Sequence, residues 1–138
     1  MHQSAKRVGN AYENRACQMV QDGGLAIIMR NYNVPRLGEI DIIAEECKTN
    51  RLGRLVKTLV FIEVRVRRHG QYHQFASAIE SITPAKQSKI IAAANHFLQN
   101  HVEFIKHDCR FDVIAFDEYG KNGQNSMSYW LKAAFLVE

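Results

Sequence analysis

Apolar residues first recur along this chain at helical spacing and then at every second place. From about Lys6 to Asp22, Val8, Tyr12, Cys17, Met19 and Val20 mark one side of a helix, and Gly23-Gly24 stops it. Leu25 to Tyr32 (LAIIMRNY) then reads as a strand, with Asn33-Val34-Pro35 as a turn. GEIDIIAEE predicts a second strand, with Ile40, Ile42 and Ala44 on one side and Glu39, Asp41, Ile43 and Glu45 on the other. CKTNRLGRLVK is polar, basic and interrupted by Gly53, which predicts a loop. It leads to FIEVRVRR, where Ile62, Val64 and Val66 share one face and Phe61, Glu63, Arg65 and Arg67 share the other.

HGQYH is expected to be a loop and Phe75 to Ile82 a short helix. Thr83-Pro84 is a start signal, with threonine as cap and proline in the first turn, for a helix ending near Asn100. Its apolar stripe is Ile90, Ile91, Ala94, Phe97 and Leu98. RFDVIAFDE is a further strand, followed by a turn through Gly120 and Gly123. Tyr129 to Val137 closes the chain as a strand or a strand plus turn. The order predicts an α/β fold, a mixed β-sheet flanked by helices, in which the first two acidic strands pair antiparallel and the long helix returns the chain to a later strand.

A length of 138 residues with 46% hydrophobic and 23% charged residues is that of a single domain, 1–138, that buries its own core. No apolar run is long enough to span a bilayer, and MHQSAKRVGN lacks the apolar middle of a secretory signal. Cys17, Cys47 and Cys109 are odd in number and widely spaced, the pattern of reduced thiols, so a cytoplasmic location without membrane attachment is expected. The net charge of +4 and pI of about 9.1 incline the chain toward an anionic partner such as nucleic acid.

The charged places in the strands leave two readings open. Alternating Glu and Arg is the ordinary pattern of a solvated sheet face with cross-strand pairs. If the second and third strands pair, however, Asp41 and Glu63 project together and form a hard oxygen site. Two carboxylates and one backbone carbonyl suffice for Mg²⁺ or Mn²⁺, which keeps several waters. Such an ion polarises a phosphodiester and activates water. Elsewhere, Arg110 and Asp112 share a strand face and read as a structural ion pair. His69 and His73 lie in a loop without the partners of a zinc site, and no serine or cysteine has the setting of a nucleophile. Tyr129 and Trp130 are expected to pack on the sheet.

Gly9, Glu13 and Ala16 on the first helix, then GEIDIIA, VFIEVRVR, Lys86 and CRFDVIAF, occur in the order and spacing of a known family. From about Val8 to Phe135 the chain resembles the bacterial YraN-type proteins, which are assigned to the PD-(D/E)XK nuclease superfamily and are similar to archaeal Holliday-junction resolvases. The resemblance implies a restriction-endonuclease-like fold and metal-dependent cleavage of DNA, with branched or otherwise structured DNA as substrate class. It also implies a homodimer, as cutting of opposed strands favours. It puts Asp41 and Glu63 in the place of the metal-binding acids, Val64 as the carbonyl ligand and Glu13 as an additional acid. Arg65 stands where lysine is usual. Lysine can lose a proton to help activate water, whereas arginine orients phosphate and stabilises charge. The change leaves open a module that binds nucleic acid without cutting it. Lys86 is a candidate stand-in for the lysine, and Arg67, Arg68, Lys86 and Lys89 are the expected nucleic-acid contacts. Tyr12 also departs from a common glycine. The segment Cys47 to Thr58, with Lys48, Arg51, Arg54 and Lys57, is either a phosphate-tracking arm or a plain soluble connection.

Overall fold

A computed structural model describes residues 5–68 and 80–136. Helix α1 (Ala5–Asp22) is followed by strands β1 (Ala26–Val34), β2 (Gly38–Thr49) and β3 (Leu55–Arg68). Helix α2 (Pro84–Asn100) and a 3-10 turn at Val102–Phe104 lead to β4 (Asp108–Tyr119). A second 3-10 turn at Lys121–Gly123 precedes β5 (Asn125–Phe135). The five-stranded sheet has the order β1-β2-β3-β4-β5. All neighbours are antiparallel except β3 and β4, which run parallel. A parallel pair needs a crossover, and the segment containing α2 supplies it. The expected α/β fold with a mixed sheet is therefore the one observed. The short helix expected over Phe75 to Ile82 and the histidines His69 and His73 lie, apart from Glu80 to Ile82, outside the described residues.

Each helix covers one face of the sheet. Tyr12, Ala16, Cys17 and Val20 of α1 pack with Ile42, Ala44, Val60, Ile62, Ile114 and Phe116. Ile90, Ala93, Ala94 and Phe97 of α2 pack with Ile43, Leu59, Phe61, Phe111 and Val113 on the other side. The α2 start is as the sequence predicts: Thr83 Oγ1 accepts the Lys86 amide at 3.3 Å and Pro84 opens the first turn. A Cβ added to Gly38 would lie 2.4 Å from the Lys89 carbonyl oxygen, so β2 and α2 meet backbone to backbone there.

Two expectations need correction. Cys47 to Lys57 is no loop: β2 and β3 stay paired through Cys47↔Lys57, Lys48↔Val56 and Thr49↔Leu55, and only the tip turns. Polar and basic residues are compatible with this ribbon because neither of its faces has to enter the core. Ile40, expected on the side of Ile42, instead joins Ile43 in the cluster beneath α2. The strict alternation fails next to Asp41, where the β2–β3 ladder ends at Ile42↔Ile62.

Arg110 and Asp112 form the ion pair read from the sequence, with Nε–Oδ1 at 2.9 Å and Nη2–Oδ2 at 3.0 Å. Asp112 is 1% exposed and also accepts Trp130 Nε1–H and the Ala133 amide, each at 2.9 Å, while Arg110 reaches Glu46 at 3.1 Å. Removing the Asp112 carboxylate leaves Trp130 Nε1–H and the Ala133 amide without their acceptor and Arg110 with Glu46 alone. Asp112→Ala is expected to cost about 3–5 kcal/mol of stability, and Asp112→Asn less. Urea unfolding measures the loss, and emission of Trp130, the only tryptophan, reports separately on its lost hydrogen bond.

Candidate active site

The site begins where β2 and β3 part. Beyond Ile42↔Ile62 no further backbone pair continues the β2–β3 ladder among the described residues. There the Val64 amide donates to Asp41 Oδ2 at 2.8 Å, so a side chain takes the place of a backbone carbonyl. Within an extended strand the N–H and C=O of one residue point to the same edge, so the Val64 carbonyl also faces the gap next to Asp41. Continuing the register by one step sets Asp41 opposite Glu63, close enough for the two carboxyl groups to act on each other.

On balance the surroundings of both acids disfavour their charged forms. Burial first, and then the charges of Glu13 and Glu39, push Asp41 up to about 6 against the pull of the Val64 amide. Burial and then the Asp41 charge push Glu63 up to about 8, while Arg65 and Lys86 draw it down. Like charges at close range cannot both ionise cheaply without a cation between them. Two hard carboxylates and a neighbouring carbonyl fit the oxygen preference of Mg²⁺ or Mn²⁺. Among the described residues no group of three or more His, Cys, Asp or Glu side chains is arranged to hold a metal, so the acids stand as a pair.

Arg65 lies beside them. Its Nη1 is 3.6 Å from Glu63 Oε1, and its Nε donates to Ser81 Oγ at 3.0 Å, which ties β3 to the segment just before α2. Lys86, exposed on the first turn of α2, is near enough to act on Glu63 electrostatically. Lys89 is exposed one turn on, and Arg67 is exposed two places beyond Arg65. Asp41, Glu63, Val64, Arg65 and Lys86 are thus brought together, with Arg67 and Lys89 at the margin.

Two expected site residues are engaged elsewhere. Glu13 is buried and accepts Arg30 Nε at 3.1 Å and Asn31 Nδ2 at 2.9 Å, so it touches Asp41 only through its charge. Asn31 reaches it from a left-handed conformation, φ 54°, which asparagine tolerates. Arg68 points away from Arg67 and Arg65, with Nε 2.8 Å from Glu118 Oε2; the Tyr12 hydroxyl also donates to Glu118. Ser81 is the contact that sequence reasoning missed, because a serine two places before a helix cap looks like part of the cap.

The description "Uncharacterised protein family UPF0102" matches residues 12–116, the span that includes both acids and the strand after α2. The chain belongs to the UPF0102 family. A UPF0102 protein of Nitrosococcus oceani is 45% identical over 130 residues, covering 94% of this chain and 92% of the relative. One from Psychrobacter cryohalolentis is 40% identical over 148 residues, covering 96% of this chain and 81% of its own. A third, from Ralstonia nicotianae, is 40% identical over 134 residues, with 97% and 90% covered. The UPF0102 match thus extends over most of each chain and not over one motif. No helix among the described residues is long and apolar enough to cross a membrane.

The acidic pair has a consequence for stability. Both carboxyls hold a proton more tightly in the folded protein than free carboxylates do, so their stabilising contribution is complete below about pH 4. It is lost as pH rises through about 6 for Asp41 and about 8 for Glu63. The denaturation midpoint contributed by this pair should therefore fall from mildly acid to mildly alkaline solution. Asp41→Asn with Glu63→Gln should flatten that slope and raise the midpoint at the alkaline end, as thermal melts across pH would measure.

Proposed function

We propose that this protein is a divalent-metal-dependent endonuclease acting on DNA, with branched or otherwise structured DNA as the substrate class. The observation that carries this reading is the meeting of Asp41 and Glu63 at the opening between β2 and β3. The resemblance to PD-(D/E)XK nucleases supports the same roles for these residues, and the positive net charge suits a phosphodiester substrate.

In this reading Asp41, Glu63 and the Val64 carbonyl hold Mg²⁺ or Mn²⁺. When bound, such an ion polarises the phosphodiester and lowers the pKa of coordinated water. The chain's own contribution is positioning and charge. Arg65, fixed by Ser81 and set beside Glu63, presents planar donors to a phosphate oxygen and stabilises charge that develops on it. It cannot serve as a base, because a guanidinium does not lose its proton under these conditions. Lys86, at the start of α2, is a second cation whose charge acts on Glu63. Arg67 and Lys89 extend the cationic border on which the nucleic-acid backbone rests.

Purified protein should take up Mn²⁺, read by electron paramagnetic resonance and by a rise in melting temperature at neutral pH. Asp41→Asn and Glu63→Gln should each abolish both signals and the cleavage of branched DNA. Arg65→Ala should leave Mn²⁺ uptake intact and slow cleavage by about 100-fold. Salt-sensitive DNA binding and Mn²⁺ uptake without cleavage would assign the protein to the non-catalytic module that Arg65 leaves open. Absence of Mn²⁺ uptake by the unaltered protein would overturn the metal site itself.

A further inference from the structure

The tip half of the β2–β3 hairpin leaves the sheet. Pairing of β1 with β2 ends at Glu45, and pairing of β3 with β4 begins at Thr58. Between these points the two strands pair only with each other among the described residues. The tip is a built turn: Asn50 Oδ1 accepts the amides of Leu52 at 2.9 Å and Arg54 at 3.0 Å, and the Asn50 amide donates to the Arg54 carbonyl at 2.9 Å. Gly53 supplies the positive φ of 76° that the turn needs.

Charge is concentrated on this ribbon. From Cys47 to Thr58 there are Lys48, Arg51, Arg54 and Lys57 and no acid. Removing these four from the 18 Lys and Arg leaves as many cations as the 14 Asp and Glu, so the whole +4 resides here. All four are exposed, although Lys48 Nζ approaches Glu46 Oε2 at 3.7 Å. The register puts Lys48 with Val56 on one face and Lys57 with Leu55 on the other, while Arg51 and Arg54 flank the tip. Leu52, at the tip, is 77% exposed.

We infer that this ribbon is a second nucleic-acid-binding element, which enters the major groove of a DNA duplex and contacts the phosphates on both sides. A paired ribbon with strands about 4.8 Å apart, plus its side chains, suits a groove about 12 Å wide better than one of about 6 Å. Cations on both faces match two flanking phosphate rows, whereas an anionic bilayer offers charge on one side only. Along β2 the tip is roughly 30 Å from Asp41, close to one turn of B-form DNA at about 34 Å. One duplex can therefore meet both places. The inference goes beyond the cleavage reading and does not depend on a metal at Asp41 and Glu63.

The test is fluorescence anisotropy of the full chain with a labelled duplex about three helical turns long, across a salt series. Arg51→Gln with Arg54→Gln should weaken binding about tenfold near 0.1 M salt and reduce the log–log salt slope by about 2. Its melting temperature should be unchanged, because the turn is held by Asn50 and the backbone. Adding Lys48→Gln and Lys57→Gln should reduce the slope further. Mn²⁺ uptake by the Arg51→Gln, Arg54→Gln variant should match that of the unaltered protein, which separates failure of the arm from failure of the metal site. A photo-crosslinker replacing Leu52 should label the duplex, a readout that remains if the fourfold variant does not fold. The inference is overturned by an unchanged slope and affinity in the folded double variant, by no crosslink, or by binding of anionic vesicles in preference to the duplex.

Discussion

The ladder between β2 and β3 stops at Ile42 and Ile62, and the Val64 amide is then held by the Asp41 carboxylate. Much of the molecule's chemistry follows from that exchange. A buried amide requires an acceptor, and using a side chain for it fixes Asp41 in the opening. Glu63, opposite in register, is brought against it. Ile40 is turned toward α2, and the Val64 carbonyl is left facing the same gap. An uninterrupted ladder would have spent these backbone groups on each other.

The other buried acids show what ordinary structural use of a carboxylate looks like here. Asp112 is held by Arg110, Trp130 and the Ala133 amide, and Glu13 by Arg30 and Asn31. Glu46 has Arg110, which with Lys48 pulls its pKa below the usual range despite burial. Asp41 and Glu63 differ in facing each other, and their carboxyls are raised and not lowered. The nearest guanidinium, Arg65, is 3.6 Å from Glu63 and shared with Ser81. Crowded like charge at an opening is costly as architecture, and it is what a cation site requires before its ion arrives.

Much of this was legible in the sequence, and what escaped did so for identifiable reasons. FIEVRVRR and GEIDIIAEE show strand periodicity because branched apolar residues recur every second place, and Thr83-Pro84 carries its helix start locally. The pairing of Arg110 with Asp112 follows from i, i+2 geometry. The partners of Glu13, Arg30 and Asn31, are not legible because they come from a different element and depend on how α1 docks. The ribbon has the composition of a loop because composition records the need for burial and not backbone conformation. The side taken by Ile40 depends on where a ladder ends, and no periodicity encodes that.

Gly38 gives the arrangement a rigid datum. Because main chain rests on main chain at Lys89, the separation between the acidic strand and the lysine-bearing helix is not set by deformable side chains. Exchanging one aliphatic residue for another beneath α2 would change how well the interior is filled. The helix would still be seated on the same hard stop, three residues before Asp41, with its main chain there held at a set distance from the acidic strand.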